Sequence, residues 1–513
     1  VTVEQTAVDD PVQTGWRRLD GRMLVVGPAH SLVRLLPVIV VLLVSGRGDV
    51  NRLWIALGIS ALLVVFGVVR WRTTQYRITP DRVELHHGWL RRQRRSVPRD
   101  RIRTVDLTSK LLHRMFGLSV VHVGAGARSA TERSGRLVLD AVSTGEAERL
   151  RLALLDHSPA RVDSHAAASR PSAPPEPAGV ELARLNRAWI RYAPLTFSAL
   201  AGVGAVFAAV HNLVDDLGVD PRRIRAVNEA TDQLAAAPLW AAIAVVLVVL
   251  VVIAMIGSTV LWAERWWGYR LSREPDGTLL MRRGLLTRRS LSVAQHRLRG
   301  AELTEPLLLR LGRAAQSRAL TTGLSKEAQG GAVAPPTPRS AAHRVVAEVL
   351  RAPAAQSTAA PLLRHPRAAV ARRLTRALGP AALLAAAGWL LADGVPALSW
   401  LRPAALVLVP LALLLGLDRA RNLGHALTGR FLVTRQGSLV RRTVALERDG
   451  VIGWQVRQSV FQRRSGLVTL EAVTAAGRGG YHVLDVDAAH ARELIEQVGP
   501  GLLSAGASRT SRG

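Results

Sequence analysis

One unit recurs three times along the 513 residues: a pair of apolar segments, then a basic, strand-rich block that closes with an amphipathic helix. A repeat of this size constrains the fold more than any local signal, because every copy has to bury its apolar face in the same way. The first block opens YRITPDRVELHHGWLRR at Tyr76, and the second opens YRLS at Tyr269 and continues LLMRRGLLTRRSLSVAQHRLRG. A more diverged third reads RFLVTRQGSLVRRTVALERDGVIGW from Arg430. Tyr76, Gly88, Arg101, Leu112 and Arg114 fall on Tyr269, Gly284, Arg297, Leu308 and Arg310. Arg99, Asp100, Leu112, Arg114 and Gly117 fall on Arg448, Asp449, Phe461, Arg463 and Gly466. Three related modules imply one function carried by all three together.

Hydrophobic residues make up 49% of the chain, yet its formal net charge is +30. Both hold only if apolar and basic residues occupy different segments. Residues 53–69, 194–213, 238–261 and 398–417 are long enough to span a bilayer, which takes about 20 apolar residues. Residues 32–44 are short and residues 378–392 marginal, but each partners a stronger span across a tight loop. Six spans in three hairpins are therefore expected. The first is not read as a signal peptide, since it lies behind a polar stretch and has no small-residue cleavage pattern. Trp71, Trp189, Tyr192, Trp262, Trp266, Trp267 and Trp400 sit near span ends, as an aromatic belt would. Arginines flank each hairpin: Arg17, Arg18 and Arg22, then Arg70 and Arg72, around the first; Arg187, Arg191 and Arg265 around the second; Arg372, Arg373 and Arg419 around the third. By the positive-inside rule the N-terminus, all three blocks and the C-terminus are cytoplasmic. No Asp, Glu or His occupies a span centre, so the usual signature of an ion or proton pathway is missing.

Within the first block, residues 76–79, 82–86, 89–97, 102–107, 118–123 and 136–139 alternate as strands do. Leu111, Leu112, Met115 and Phe116 recur at helical spacing, and Gly117 is placed to stop that turn with a positive φ. Residues 144–155 read as the closing helix, with counterparts at 341–350 and 488–498. The expected plan is a cytoplasmic segment at 1–31, hairpin 1 at 32–70 and module 1 at 71–155. A flexible linker at 156–180 leads to hairpin 2 at 181–263, with an external loop at 214–237, and to module 2 at 264–351. A second linker at 352–371, hairpin 3 at 372–418, module 3 at 419–500 and a disordered tail at 501–513 complete it.

The pattern Y-R-[IL]-[ST], G-x-[LI]-x-R, [VI]-P-x-x-R-I-x-x-V and L-x-R-x-x-G-L stands here at residues 76–79, 88–92, 97–105 and 112–118. It resembles the bacterial pleckstrin-homology-like domain of the YdbT/YdbS membrane protein family. The resemblance covers nearly the whole chain and is best in the first block. The second block has Val293–Ala294 for Val-Pro, and the third has Phe431 for the tyrosine. It implies an antiparallel β-barrel or sandwich closed by a C-terminal helix, with each module behind a transmembrane hairpin. The motifs are structural rather than catalytic.

The densest charge is Arg91, Arg92, Arg94, Arg95, Arg99, Arg101 and Arg103, with counterparts at Arg282, Arg283, Arg288 and Arg289. One reading is a face held against the anionic inner leaflet, where each basic residue is worth about 1 kcal/mol; the other is retention charge plus a solvated strand face. Nucleic acid ranks below both, because the aromatics lie by the membrane and are not interleaved with the arginines. The absence of cysteine excludes disulfides and thiolate chemistry. His86 and His87 are adjacent on a strand and point to opposite faces. The glycines Gly124 and Gly126 complete no phosphate loop, and no nucleophile with its base or pair of carboxylates stands out. No catalytic, cofactor or metal residues are expected. The expectation is a non-enzymatic scaffold that binds anionic lipid, a protein partner, a YdbS-like partner or a second copy. The alternative is a transport or lipid-handling component.

Overall fold

The computed structural model describes residues 15–24, 71–88, 93–99, 102–125, 136–155, 179–196, 236–322 and 331–499, with isolated positions between them. The expected spans at 32–44, 53–69 and 194–213, the external loop, residues 156–178, Gly126 and the tail lie wholly or largely outside these. The chain forms two compact units, Val1–Gln295 and His296–Gly513.

In the first unit, β1 (Arg17–Arg18), β2 (Gln75–Ile78), β3 (Arg82–His87) and β4 (Gln93–Pro98) make an antiparallel sheet in that order. Next come β5 (Ile102–Ser109), the short helix α1 (Leu111–Met115), β6 (Leu118–Ala125), β7 (Arg136–Ser143) and the closing helix α2 (Thr144–Leu155). Apolar residues alternate along β2 and β3, so Tyr76, Ile78, Val83 and Leu85 point one way. They meet Val105, Val121, Leu137 and Leu139 from the other layer and Leu150 and Leu154 from α2 in one core. The unit continues with β8 (Val180–Arg184), α3 (Leu239–Trp266), β9 (Arg270–Arg273), β10 (Leu279–Arg283) and β11 (Arg288–Val293). These strands repeat β1–β4, but their sheet does not end at β11. It continues into β5 of the preceding repeat, giving the seven-stranded order β7-β6-β5-β11-β10-β9-β8.

The second unit repeats the device. It holds β12 (Leu298–Pro306), α4 (Leu307–Leu311), β13 (Ala314–Thr321), β14 (Thr337–Pro338) and α5 (Arg339–Leu350). It then holds β15 (Leu363–Arg364), α6 (Arg367–Gly394), α7 (Leu401–Arg421), β16 (Gly424–Thr428), β17 (Phe431–Gln436) and β18 (Val440–Glu447). Again the order is seven-stranded, β14-β13-β12-β18-β17-β16-β15. The third repeat ends in a sheet of three, β19 (Val451–Arg457), β20 (Leu467–Thr474) and β21 (Gly480–Asp487), with α8 (Val460–Arg464) and the closing helix α9 (Ala488–Val498). Leu432, Val444 and Leu446 share a core with Leu470, Val483, Leu494 and Ile495.

Two placements correct the expected linkers. Residues 180–184, assigned to a linker end and a span start, are β8, paired with β9. Residues 352–371 are also ordered: Ser357 and Thr358 are fully buried, Thr358 Oγ1 lies 2.8 Å from His343 Nδ1, and β15 pairs with β16. A segment of small residues lacks the bulk to make a core, but it can pack flat against a sheet edge and hydrogen-bond there.

Among the described residues, three helices are long and apolar enough to cross a membrane: Leu239–Trp266, Arg367–Gly394 and Pro396–Arg421, the last including a 3-10 turn ahead of α7. Helices α6 and α7 form an antiparallel hairpin in close contact. A Cβ on Gly416 would lie 3.1 Å from the Ala377 Cβ and 3.2 Å from Leu374. Small residues thus bring the two backbones together where lipid supplies no hydrophobic drive.

Candidate functional site

The turn that launches the arginine-bearing strand of each repeat depends on glycine. Gly88, Gly284 and Gly437 have φ of 111°, 111° and 108°. A Cβ there would sit 1.9 Å from the Thr287 carbonyl oxygen in the second repeat and 2.0 Å from that of Val440 in the third. The conserved geometry aims the same strand in every copy.

The described arginines on and beside it differ in placement. Arg91, Arg92 and Arg101 lie outside the described residues, and Arg103 is on β5. Arg94 is exposed and Arg95 half-buried on β4. Arg99 donates to the carbonyls of Ala153 and Pro80, capping the end of α2. Arg288 and Arg289 are exposed, and Arg282 is exposed but paired with Glu148 at 3.3 Å. Arg283 turns inward, 4% exposed, with its guanidinium 4.3 Å from the centroid of the Trp266 ring. Burial, aided by Arg265 and Arg289, lowers its pKa to about 9, so it remains charged at neutral pH.

Other charges staple the repeats together. At the first junction, buried Arg151 on α2 reaches Glu274 through two bonds of 3.1 Å and Ser292 of β11 at 3.2 Å. Burial opposes its charge, but hydrogen bonds to Glu274 and Glu148 outweigh that and raise its pKa. At the second junction Glu305 of β12 stands opposite Arg441 of β18 and accepts two bonds of 2.6 Å from it. Arg478 donates to Glu302 of β12 at 2.9 Å.

Leu111, Leu112, Met115 and Phe116, read as recurring at helical spacing, lie on or at the end of the short helix α1. Leu112 and Phe116 do pack against Val26 and Leu118, but Leu111 and Met115 stay exposed. The second repeat exposes Leu307, Leu308 and Leu311 on α4, and the third exposes Val460 and Phe461 on α8. Leu285, Leu286 and Leu439, in the glycine turns, are exposed as well. These features sit by the ends of the apolar helices: Leu285 donates its N–H to the Glu264 carbonyl of α3, and Arg310 of α4 pairs with Asp418 of α7. In the second and third repeats these apolar knobs therefore stand at the level where the described apolar helices end. Sequence periodicity could not separate them from core residues, but their recurrence on a five-residue helix, too short to bury two faces, is the legible signal. The stop residues behave as expected, Gly117 and Gly466 having φ of 67° and 66°. The second repeat holds the same conformation with Arg313, φ 53°.

Module 3 is anchored to its hairpin by a buried ionic centre that sequence reading did not find. Asp485, on the bulge of β21 with φ 54°, is fully buried and paired with both Arg372 and Arg373 of α6. Gln462 Nε2 donates to it at 2.8 Å. Beside it stand His365, His425 and His490, with His425 and His490 Nε2 atoms 3.1 Å apart. One ring must donate and the other accept. Burial lowers the pKa of His425 to about 3 and of His365 to about 4; the latter faces Asp485, Arg373 and His490. Below pH 6.5 the unfolded chain takes up protons that these folded rings refuse. Stability should therefore fall with pH from about 6.5 to the folded values, then level off. Thermal unfolding of wild type and His425→Phe between pH 7 and pH 4 checks this, the variant giving the shallower slope. Parallel slopes would contradict it.

A family model described as the bacterial PH domain matches residues 31–157, 219–364 and 380–501. Among curated proteins, UPF0699 transmembrane protein YdbT of Bacillus subtilis (strain 168) is 25% identical over 209 residues, 39% of this chain and 42% of that protein. The alignment thus spans less than half the length of that relative. No solved structure matches. With the family matched once per repeat and over most of its length, the chain is a membrane protein that belongs to the bacterial PH domain family.

Proposed function

We propose that the chain is a non-enzymatic scaffold on the cytoplasmic face of a membrane, held by six spans in three hairpins. One observation carries this reading. In every repeat the strand before the apolar segment is hydrogen-bonded to the strand after it: Arg17 beside Tyr76, Val180 beside Arg273 and Leu363 beside His425. A segment that leaves a sheet and returns to its neighbouring strand crosses a bilayer an even number of times. Each hairpin is thus an insertion within a β-module rather than a preceding domain, and every module lies on one side. The arginine flanks favour the cytoplasm as that side.

The exposed leucines and Phe461 then enter the headgroup zone, and the exposed arginines add attraction to anionic lipid that salt screens within about 8 Å. Layers of β1–β4 and β5–β7 closing toward a barrel fit the family's fold. Each seven-stranded sheet offers a broad surface for a protein partner.

The chain has no native cysteine, so single replacements report topology. Asp220→Cys should react with a membrane-impermeant maleimide in intact cells, and Gly126→Cys only after lysis. Labelling of Gly126→Cys in intact cells would defeat the reading. In-cell crosslinking that captures neither protein nor a second copy would defeat the scaffold.

A further inference from the structure

We propose that copies of this chain join head to tail in the membrane plane, β19 of one pairing antiparallel with β4 of the next. This rests on the scaffold reading and names its partner as a second copy.

Both internal junctions follow one rule. The fifth strand of a repeat, β5 or β12, pairs with the fourth strand of the following repeat, β11 or β18. The register is the same residue for residue. Val293 stands opposite Thr104 and Ser292 opposite Val105 in the first junction. At the equivalent positions of the second, Leu446 stands opposite Gly300 and Ala445 opposite Ala301. Each fifth strand also carries an irregularity at the same place, after Ile102, Leu298 and Val451.

The rule leaves one strand of each kind over. Among the described strands, β4 pairs only with β3 and β19 only with β20. Their residues bear the mark of a missing neighbour. The position buried at 8% exposure in Leu107 and 2% in Leu303 is Val456 in β19, at 53%. The position fully buried in Ser292 is exposed as Ser96 in β4. Strand β19 also shows Ile452 at 63% and has neither proline nor lysine to guard it, whereas unpartnered edges in natural proteins are normally blocked. Carrying the internal register over sets Val97 opposite Gly453, Ser96 opposite Trp454, Arg95 opposite Gln455, Arg94 opposite Val456 and Gln93 opposite Arg457. The free edges differ, so the contact is heterologous and propagates as a ring or a row. Tethering every copy to one bilayer confines that growth to a plane.

Disulfide trapping on the full-length protein in membranes tests this. Alternate pairs in an antiparallel ladder differ in Cβ spacing, so two neighbouring pairs are examined. Two differently tagged copies are co-expressed, one carrying Arg94→Cys and the other Val456→Cys, and likewise Gln93→Cys with Arg457→Cys. A single chain carrying Thr108→Cys and Arg289→Cys, the internal equivalent of the second pair, is the positive control. The expected result is a disulfide-linked heterodimer from at least one mixed pair, abolished when Val456→Lys is added to the Arg457→Cys copy. Two results would overturn the proposal. One is no mixed dimer while the control pair links. The other is linkage confined to single chains that carry both cysteines, which would mean that the edges close within one molecule. Capture of a foreign protein alongside failed trapping would leave the scaffold reading standing and sink this one.

Discussion

Replacing Asp485 with Asn should destabilise the third module by about 3–5 kcal/mol, the usual cost of removing one partner from a buried ion pair. The reason is what remains. Arg372 and Arg373 have side chains only 12% and 9% exposed, and their shared carboxylate is their only ionic partner among the described contacts. Asparagine keeps the shape and tolerates the left-handed backbone at this bulge, so the change isolates the charge. Two like guanidinium groups would then face each other with little water. The loss should appear as faster hydrogen exchange in β21 and α9 of the purified full chain, with β5–β7 unchanged. A uniform change, or a loss under about 1 kcal/mol, would show that the arginines find other partners and that the anchor is not electrostatic.

Glu305→Gln should cost about 3 kcal/mol by the same reasoning, because it leaves Arg441 buried against a neutral side chain at the second junction. A double variant separates charge from packing. Glu305→Leu with Arg441→Met removes both ions and fills similar space, and buried pairs replaced in this way commonly lose little or nothing. The double variant should therefore unfold close to wild type, while either single change falls well below it. If the double variant is as weak as the singles, the bidentate bond itself, rather than the orphaned charge, holds β12 to β18.

Much of this protein was legible in its residues. The threefold repeat, the closing helices at 144–155 and 488–498, the glycine stops and the long apolar helices in the second and third repeats are all local patterns. Period-2 alternation and helical spacing act over a few residues, and a repeat makes each reading three times over. The membership of each strand in a sheet was not legible. Sequence drew each repeat as a self-contained module behind its hairpin; the structure pairs β8 and β15 across the apolar segments and runs β5 into β11 and β12 into β18. Backbone hydrogen bonds are the same for every residue, so the sequence of a strand does not say which edge it will meet. The arginines divided for a related reason. Arg94, Arg99 and Arg283 look alike in a basic run, but a strand face, a helix end and a tryptophan ring give them different tasks. Composition determined that this chain would enter a membrane and fold as three basic β-modules. Only the tertiary structure decided that those modules share their sheets, because partner choice between equivalent backbone edges is settled by what packs on each side.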